Sequence, residues 1–255
     1  MHCEELCERL DDELETAAYA DIDASANGLQ VGSKAEEIIH IAFAVDAAVE
    51  TIERAIEAEA DMLVTHHGIS WGGIERVTGK QFNRIEPLIR NEIALYTSHL
   101  PLDGHQQLGN AAGVGDLFEL EDRSPFGSLG GEYIGQCGTM PTPTNVDDIE
   151  ETLQAQLDTG EQEIRTLDFG PSTISEVAIV TGSGVDWLDE AIEKDIDAFI
   201  TGEGKQKVYH EAREAGINVF LAGHYATETF GVESLRNLAA TWGLETSVID
   251  CPTGL

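Results

Sequence analysis

Three stretches of this chain place histidines and acids directly after short apolar runs. Met62-Leu63-Val64-Thr65 leads into His66-His67-Gly68, and Ile93-Ala94-Leu95-Tyr96-Thr97-Ser98 leads into His99-Leu100-Pro101-Leu102-Asp103. Val219-Phe220-Leu221-Ala222-Gly223 leads into His224, with Glu228 four residues further on. Neutral imidazole is a first-choice ligand for zinc and other transition metals. Successive residues leaving a strand point in different directions, so His66 and His67 can serve two neighbouring ions. His224 and Glu228 share one face of any helix that starts there. Imidazoles flanking a carboxylate able to bridge are the usual build of a two-metal hydrolytic site. An ordinary hydrogen-bonded loop histidine explains any one stretch, but all three together need three coincidences. The pattern therefore predicts two divalent ions (zinc, iron, manganese or similar) on His66, His67, Asp103, His224 and Glu228. Their occupancy should fall as pH drops through about 6.5, the reference histidine value.

The elements that must position these residues are legible as a βαβ alternation. Strand 38–45, helix 47–58, the strand ending at His66, helix 82–91 and the strand ending at His99 follow one another. Strand alternating with helix argues for α/β architecture with mostly parallel or mixed sheets, and ligands bind such sheets at the carboxyl ends of the strands. Ahead of them, residues 2–18 read as an amphipathic helix with Leu6, Leu10 and Leu14 on one stripe. The second half echoes the first: Ala55, Ile56, Glu57, Asp61, Thr65 and Gly68 match Ala191, Ile192, Glu193, Asp197, Thr201 and Gly204 without a gap. Two related halves facing each other would place the metals in the cleft between them. The expected division is an N-terminal α/β half over 1–120, a connecting elaboration over 121–175, and a C-terminal α/β half over 176–255 that packs back on the first. The elaboration carries several glycines, Pro141 and Pro143, candidate strands at 132–140 and 163–169, and a helix over 145–158. Thr144 or Asn145 is positioned to cap that helix. Gly182-Ser183-Gly184 lacks the full spacing of a phosphate-cradling loop and reads first as a tight turn, with phosphate contact the lesser alternative.

Charge narrows the function classes. Fourteen Lys+Arg against 48 Asp+Glu give a formal net charge of −34, and the acids are spread along the whole chain rather than gathered in a tail. That distribution points to a solvent adaptation, a protein of a high-salt cytoplasm, and it disfavours a broad nucleic-acid footprint. A local basic site using Arg84, Arg90 or Lys205 stays open. Cys3, Cys7, Cys137 and Cys251 contain no Cys-x-x-Cys, and Cys3 and Cys7 read as ordinary helix residues one turn apart. No apolar run approaches a membrane span and the amino terminus is acidic rather than signal-like, so the expectation is a soluble, reduced, cytoplasmic protein with no membrane partner.

Taken in order, Asn27-Gly28-Leu29-Gln30-Val31, Thr65-His66-His67-Gly68, Ser98-His99-Leu100-Pro101-Leu102-Asp103, Thr201-Gly202-Glu203-Gly204 and Gly223-His224-Tyr225-Ala226-Thr227-Glu228 form a specific set. The chain resembles the YbgI-like family, also called the NIF-three family, whose members bear the name type 2 homologues of GTP cyclohydrolase I. That resemblance implies a two-domain α/β fold, a dinuclear metal site between the domains, and a toroidal homohexamer. Its ligands fall on the same five residues, with Glu228 bridging. Gly109-Asn110-Ala111 departs from it, with one asparagine where members often have two.

The implied activity is metal-dependent hydrolysis of a nucleotide-like small molecule, GTP first. Water activated by the metals would attack an electron-poor purine carbon or a phosphoryl group. His99 is the candidate for proton transfer, or else a partner that holds a ligand in place; Glu203 reads as such a partner. The alternative is a non-catalytic metal-binding scaffold, metal carrier or regulatory interaction protein on the same ligands. An open coordination position on the metals would favour the enzyme.

Overall fold

The computed structural model describes residues 1–33, 37–160 and 162–254. In chain order the first elements are α1 (Cys3–Glu13), β1 (Gly28–Val31), β2 (His40–Asp46), α2 (Val49–Glu57), β3 (Met62–His67), α3 (Lys80–Arg90), β4 (Ala94–Thr97) and α4 (Leu100–Gly104). Next come α5 (Asn110–Leu117), β5 (Glu121–Leu129), β6 (Glu132–Thr144), α6 (Val146–Gln156), β7 (Arg165–Leu167), β8 (Ile174–Ile179), α7 (Leu188–Glu193) and β9 (Ala198–Thr201). The chain ends with α8 (Val208–Ala215), β10 (Asn218–Leu221), α9 (His224–Thr227), α10 (Thr229–Thr241) and β11 (Glu245–Val248). The architecture is mixed α/β with two sheets.

Two compact units share the chain. The first is Met1–Leu102 with Gly231–Cys251, and the second is Asp103–Phe230 with the residues from Pro252. These bounds differ from the expected 1–120, 121–175 and 176–255, and hydrogen bonding gives the reason. β5, β6 and β7, inside the expected elaboration, belong to the same sheet as β8, β9 and β10. Near the carboxyl end β11 pairs in parallel with β2, from Glu245 opposite His40 to Val248 opposite Phe43.

In the first unit the sheet order is β1-β4-β3-β2-β11. All neighbours are parallel except β1, which runs antiparallel to β4. β3 lies at the centre and is buried from Met62 to His66, as expected of a parallel strand covered on both faces. Leu63, Ala42 and Leu95 from its sheet pack with Ile52 of α2 and Leu88 of α3. α1 buries Cys3, Leu6, Cys7 and Leu10, but it stops at Glu13 rather than 18. Glu15 there takes a left-handed φ of 50°, which breaks the helical run.

In the second unit the order is β5-β6-β8-β9-β10-β7. β8, β9 and β10 form a parallel centre, with antiparallel pairs on both sides. Asn145 caps α6 as its side chain predicts, with Oδ1 accepting the Asp148 N–H at 3.0 Å. Ile149 and Leu153 of that helix join Val177, Ile179, Ile200 and Phe220 in one core.

The sequence repeat is a structural one. In the first unit β2-α2-β3-α3-β4 and in the second β8-α7-β9-α8-β10 are the same βαβαβ motif. Asp61 Oδ2 accepts the N–H groups of Ile39 and His40 at 2.8 and 2.9 Å. Its counterpart Asp197 Oδ2 accepts those of Ser175 and Glu176 at 2.8 and 3.0 Å. Even the left-handed residues before the strands agree, Glu59 at φ 53° and Asp195 at φ 55°. Ser98 N donates to Thr65 O, and Ala222 N to Thr201 O. In this register His99 aligns with Gly223, and His224 comes one residue later.

Each of these aspartates holds two backbone donors between neighbouring strands. Asp61→Ala and Asp197→Ala should therefore each lower unfolding free energy by about 1–3 kcal/mol, and by similar amounts. Urea denaturation in molar potassium chloride measures this. A neutral result at either position would remove the shared role.

Candidate metal centre

In the first unit three imidazoles leave the carboxyl edge of the parallel strands. His66 and His67 end β3, and His99 follows β4 by two residues. Each has its Nδ1 engaged by oxygen. His66 Nδ1 is 3.0 Å from the Ser98 carbonyl. His67 Nδ1 is 3.0 Å from Asp46 Oδ1, and His99 Nδ1 is 2.9 Å from Asp23 Oδ1. A carbonyl can only accept, so His66 carries its proton on Nδ1; a carboxylate imposes the same tautomer on His67 and His99. In that tautomer Nε2 of each ring carries the lone pair, as metal-ligating histidines require. His66, His67 and His99 each offer a ligand atom, and these atoms lie within 4.8 Å of one another.

The partners of these rings are themselves held. Asp46 is the last residue of β2 and stands opposite His67 in the ladder. Asp23 Oδ2 accepts from Asn27 Nδ2 at 2.8 Å and from the Leu100 N–H at 3.0 Å, while Asn27 Oδ1 accepts the His99 N–H at 2.8 Å. Burial alone would push the Asp23 carboxyl up. The hydrogen bonds from His99, Asn27 and the Ser25 N–H outweigh it and hold this acid below the usual carboxylate range. The half-exposed Trp71 indole lies edge-on to His99, with ring centroids 4.9 Å apart at 77°.

In the second unit α4 carries Asp103, almost fully buried. Its Oδ1 accepts from Asn110 Nδ2 at 2.8 Å and from Thr181 Oγ1 at 3.3 Å. His224 starts α9 and lies between two acids. Its Nε2 is 3.1 Å from Glu228 Oε1 and its Nδ1 is 3.2 Å from Glu203 Oε1. Burial disfavours the imidazolium, but the Glu228 and Glu203 carboxylates together overcome that and raise the His224 pKa to about 9. Glu203 is held below its ordinary value, first by the Ser183 hydroxyl and, against some burial, by His224.

Backbone shape makes room for this trio. Gly182 sits at φ +58°, and a Cβ there would run into Glu228 Oε1 and come within 3.1 Å of His224 Nε2. A Cβ on Gly202 would lie 2.7 Å from the His224 Cα. The Gly182-Ser183-Gly184 stretch is a tight turn. Its Gly182 N–H donates to Thr227 Oγ1, and the Gly182 carbonyl accepts from Gly202 and Glu203. No donor at Gly182 is left for a phosphate.

The donor set fits divalent metal in both units. Neutral nitrogen lone pairs converge in one, and carboxylates with an imidazole between them occupy the other. The His99 ring lies beside those of His66 and His67; sequence reasoning left this residue between proton transfer and a partner that holds a ligand in place. It missed Asp23, Asp46 and Trp71, and the buried Asn110 now has a task in fixing Asp103. Among the described residues no helix is long and apolar enough to cross a membrane.

Known proteins share this arrangement of sequence and fold. A "GTP cyclohydrolase 1 type 2 homolog" of Halobacterium salinarum is 53% identical over 255 residues, covering 100% of both chains. The solved structure of the protein ybgI, of unknown function, superimposes with a TM-score of 0.91 at 32% identity over 100% of each chain. TTHA1606 from Thermus thermophilus does so at 0.89 and 35%, again over 100% of each. The model of the Duf34/NIF3 (NGG1p interacting factor 3) family matches residues 1–253. With its fold and its sequence both matched along that length, the chain belongs to the Duf34/NIF3 family.

Proposed function

We propose that this chain is a dinuclear-metal hydrolase acting on a nucleotide-like small molecule, with GTP ring opening the first candidate. His66, His67, Asp103, His224 and Glu228 would hold the two ions, with Glu228 the residue that would serve both. The observation that carries the reading is the common tautomer of three converging histidines, each with Nδ1 tied to oxygen and the lone pair on Nε2. The name borne by the Halobacterium salinarum relative supports the substrate class. Divalent cations at such a site supply Lewis acidity and bring the pKa of water towards neutrality.

The chain's own residues supply the rest. Asp23 accepts the His99 Nδ1–H and so presents Nε2 as the atom that takes and returns a proton. Asp46 and the Ser98 carbonyl fix the two strand-end rings, and Asn110 fixes Asp103. Trp71 forms an apolar wall beside His99 that suits a planar base.

Metal analysis and a panel of nucleotides and phosphoesters, in molar salt, test this. Glu228→Ala should empty both metal positions, and Asp103→Ala should abolish turnover in protein that still folds. His99→Ala should keep its metal while turnover falls by about 10²–10⁴-fold. If His99→Ala loses metal instead, His99 is a ligand rather than the proton-transfer group. Metal-replete protein that turns over nothing on the panel would leave the scaffold or carrier reading in place. The protein is further proposed to work in a salt-rich cytoplasm as a ring-shaped homohexamer. Light scattering should then give six times the chain mass of 27.6 kDa.

A further inference from the structure

The second unit holds a cavity that none of the five proposed metal ligands lines. It measures about 440 Å³ and opens beside the start of α8, of a size suited to a small-molecule ligand. Arg165 of β7, Lys205 and Gln206 of the loop before α8, and Tyr209 and His210 of its first turn line it. Leu167 and Leu221 complete an apolar floor, where Leu221 pairs with Arg165 across the β10–β7 ladder.

Its sign is opposite to that of the chain. Acids outnumber Lys+Arg by 48 to 14, yet none of the described residues lining this cavity is acidic. Lys205 is partly neutralised by Asp186, which Lys207 shares at 3.3 Å. Arg165 makes no ion pair among the described residues, so its guanidinium is available to an incoming anion. A planar fork of donors suits phosphate in particular. Next to it the Tyr209 ring is braced edge-to-face by Phe169, with centroids 5.2 Å apart at 88°, and stays over a third exposed. A rigid, half-exposed aromatic next to a cation is a platform for a flat ring.

We propose that this cavity binds a phosphorylated small molecule with a planar ring, a nucleoside monophosphate being the simplest. The phosphate sits on Arg165 and Lys205, and the ring lies against Tyr209. The site stands whether or not the metal centre is catalytic.

Isothermal titration of the full chain after chelation, in potassium chloride sufficient to keep it folded, tests this with GMP and guanosine. Chelation removes any phosphate binding through a metal, so failure here and failure of hydrolysis are separate results. One GMP should bind per chain, with guanosine at least about tenfold weaker and Arg165→Ala weakening GMP by about tenfold. Arg165→Lys should recover part of the loss. Circular dichroism checks that both variants fold, which the exposure of Arg165 favours. Absence of saturable GMP binding, or GMP binding that Arg165→Ala leaves unchanged, overturns the proposal.

Discussion

The melting temperature of this protein should rise by about 10–20 °C between 0.1 M and 1 M potassium chloride. Its formal net charge is −34. Two like charges about 10 Å apart in water repel by about 0.4 kcal/mol unscreened, and by about 0.15 kcal/mol at the ~10 Å Debye length of 0.1 M salt. At 1 M that length is about 3 Å and the same pair is almost silent. If each excess negative charge has two such neighbours, about one pair per charge, screening favours the folded chain by about 5 kcal/mol, because the expanded unfolded chain keeps its charges further apart. For a domain of this size, 1 kcal/mol moves the melting point by about 2–4 °C. Little internal compensation opposes this. Arg9–Glu5, Arg54–Glu50, Arg90–Glu86 and Lys194–Glu190 are surface pairs one helical turn apart, and such pairs contribute little. Calorimetry at fixed pH, with chelator present, measures the slope. A flat melting point would mean that assembly or bound cations already compensate the acids.

The same acidity decided what could be seen in the sequence. Histidines are rare letters here, eight in the chain, so His66, His67, His99 and His224 stand out after apolar runs whose burial makes them strands. Asp23 and Asp46 do equally specific work, but in a chain with 48 acids an ordinary surface aspartate and a buried one look alike. Only the ladder that sets Asp46 opposite His67 separates them. The repeat was legible as matched letters, because Asp61 and Asp197 must both be short acceptors between two strands. The unit boundaries were not legible. β11 reads Glu-Thr-Ser-Val, an edge strand with no buried run, so nothing in its hydropathy says that the chain returns to β2. The helix after Thr144 was readable to its cap, since an Asn side chain satisfying an orphan N–H is a local event. Long-range pairings such as Arg165 with Leu221, which shape the cavity beside α8, leave no such local mark.

Metal affinity at His224 should fall about tenfold for each pH unit below about 9, not only below the reference histidine value of about 6.5. The cause is the carboxylate pair: Glu228 on Nε2 and Glu203 on Nδ1 outweigh burial and hold this imidazole protonated up to about 9. A cation that takes Nε2 must displace that proton, so one proton is released per binding event through this range. Chelated protein should show the opposite slope. A folded pKa above the unfolded value gives stability that is fully present below about 6.5 and is lost as pH rises through about 9. The amount is about 3 kcal/mol, or roughly 6–12 °C in melting temperature. Melting curves from pH 6.5 to 9 should therefore fall with chelator and stay level with saturating zinc, approaching each other at the acid end. Glu203→Gln removes one of the two carboxylates and should move both transitions to lower pH, while His224→Ala should abolish the chelator slope. Zinc affinity that stays flat between pH 7 and 9 would show that the proton on His224 does not compete with the metal, and would exclude His224 from the ligand set.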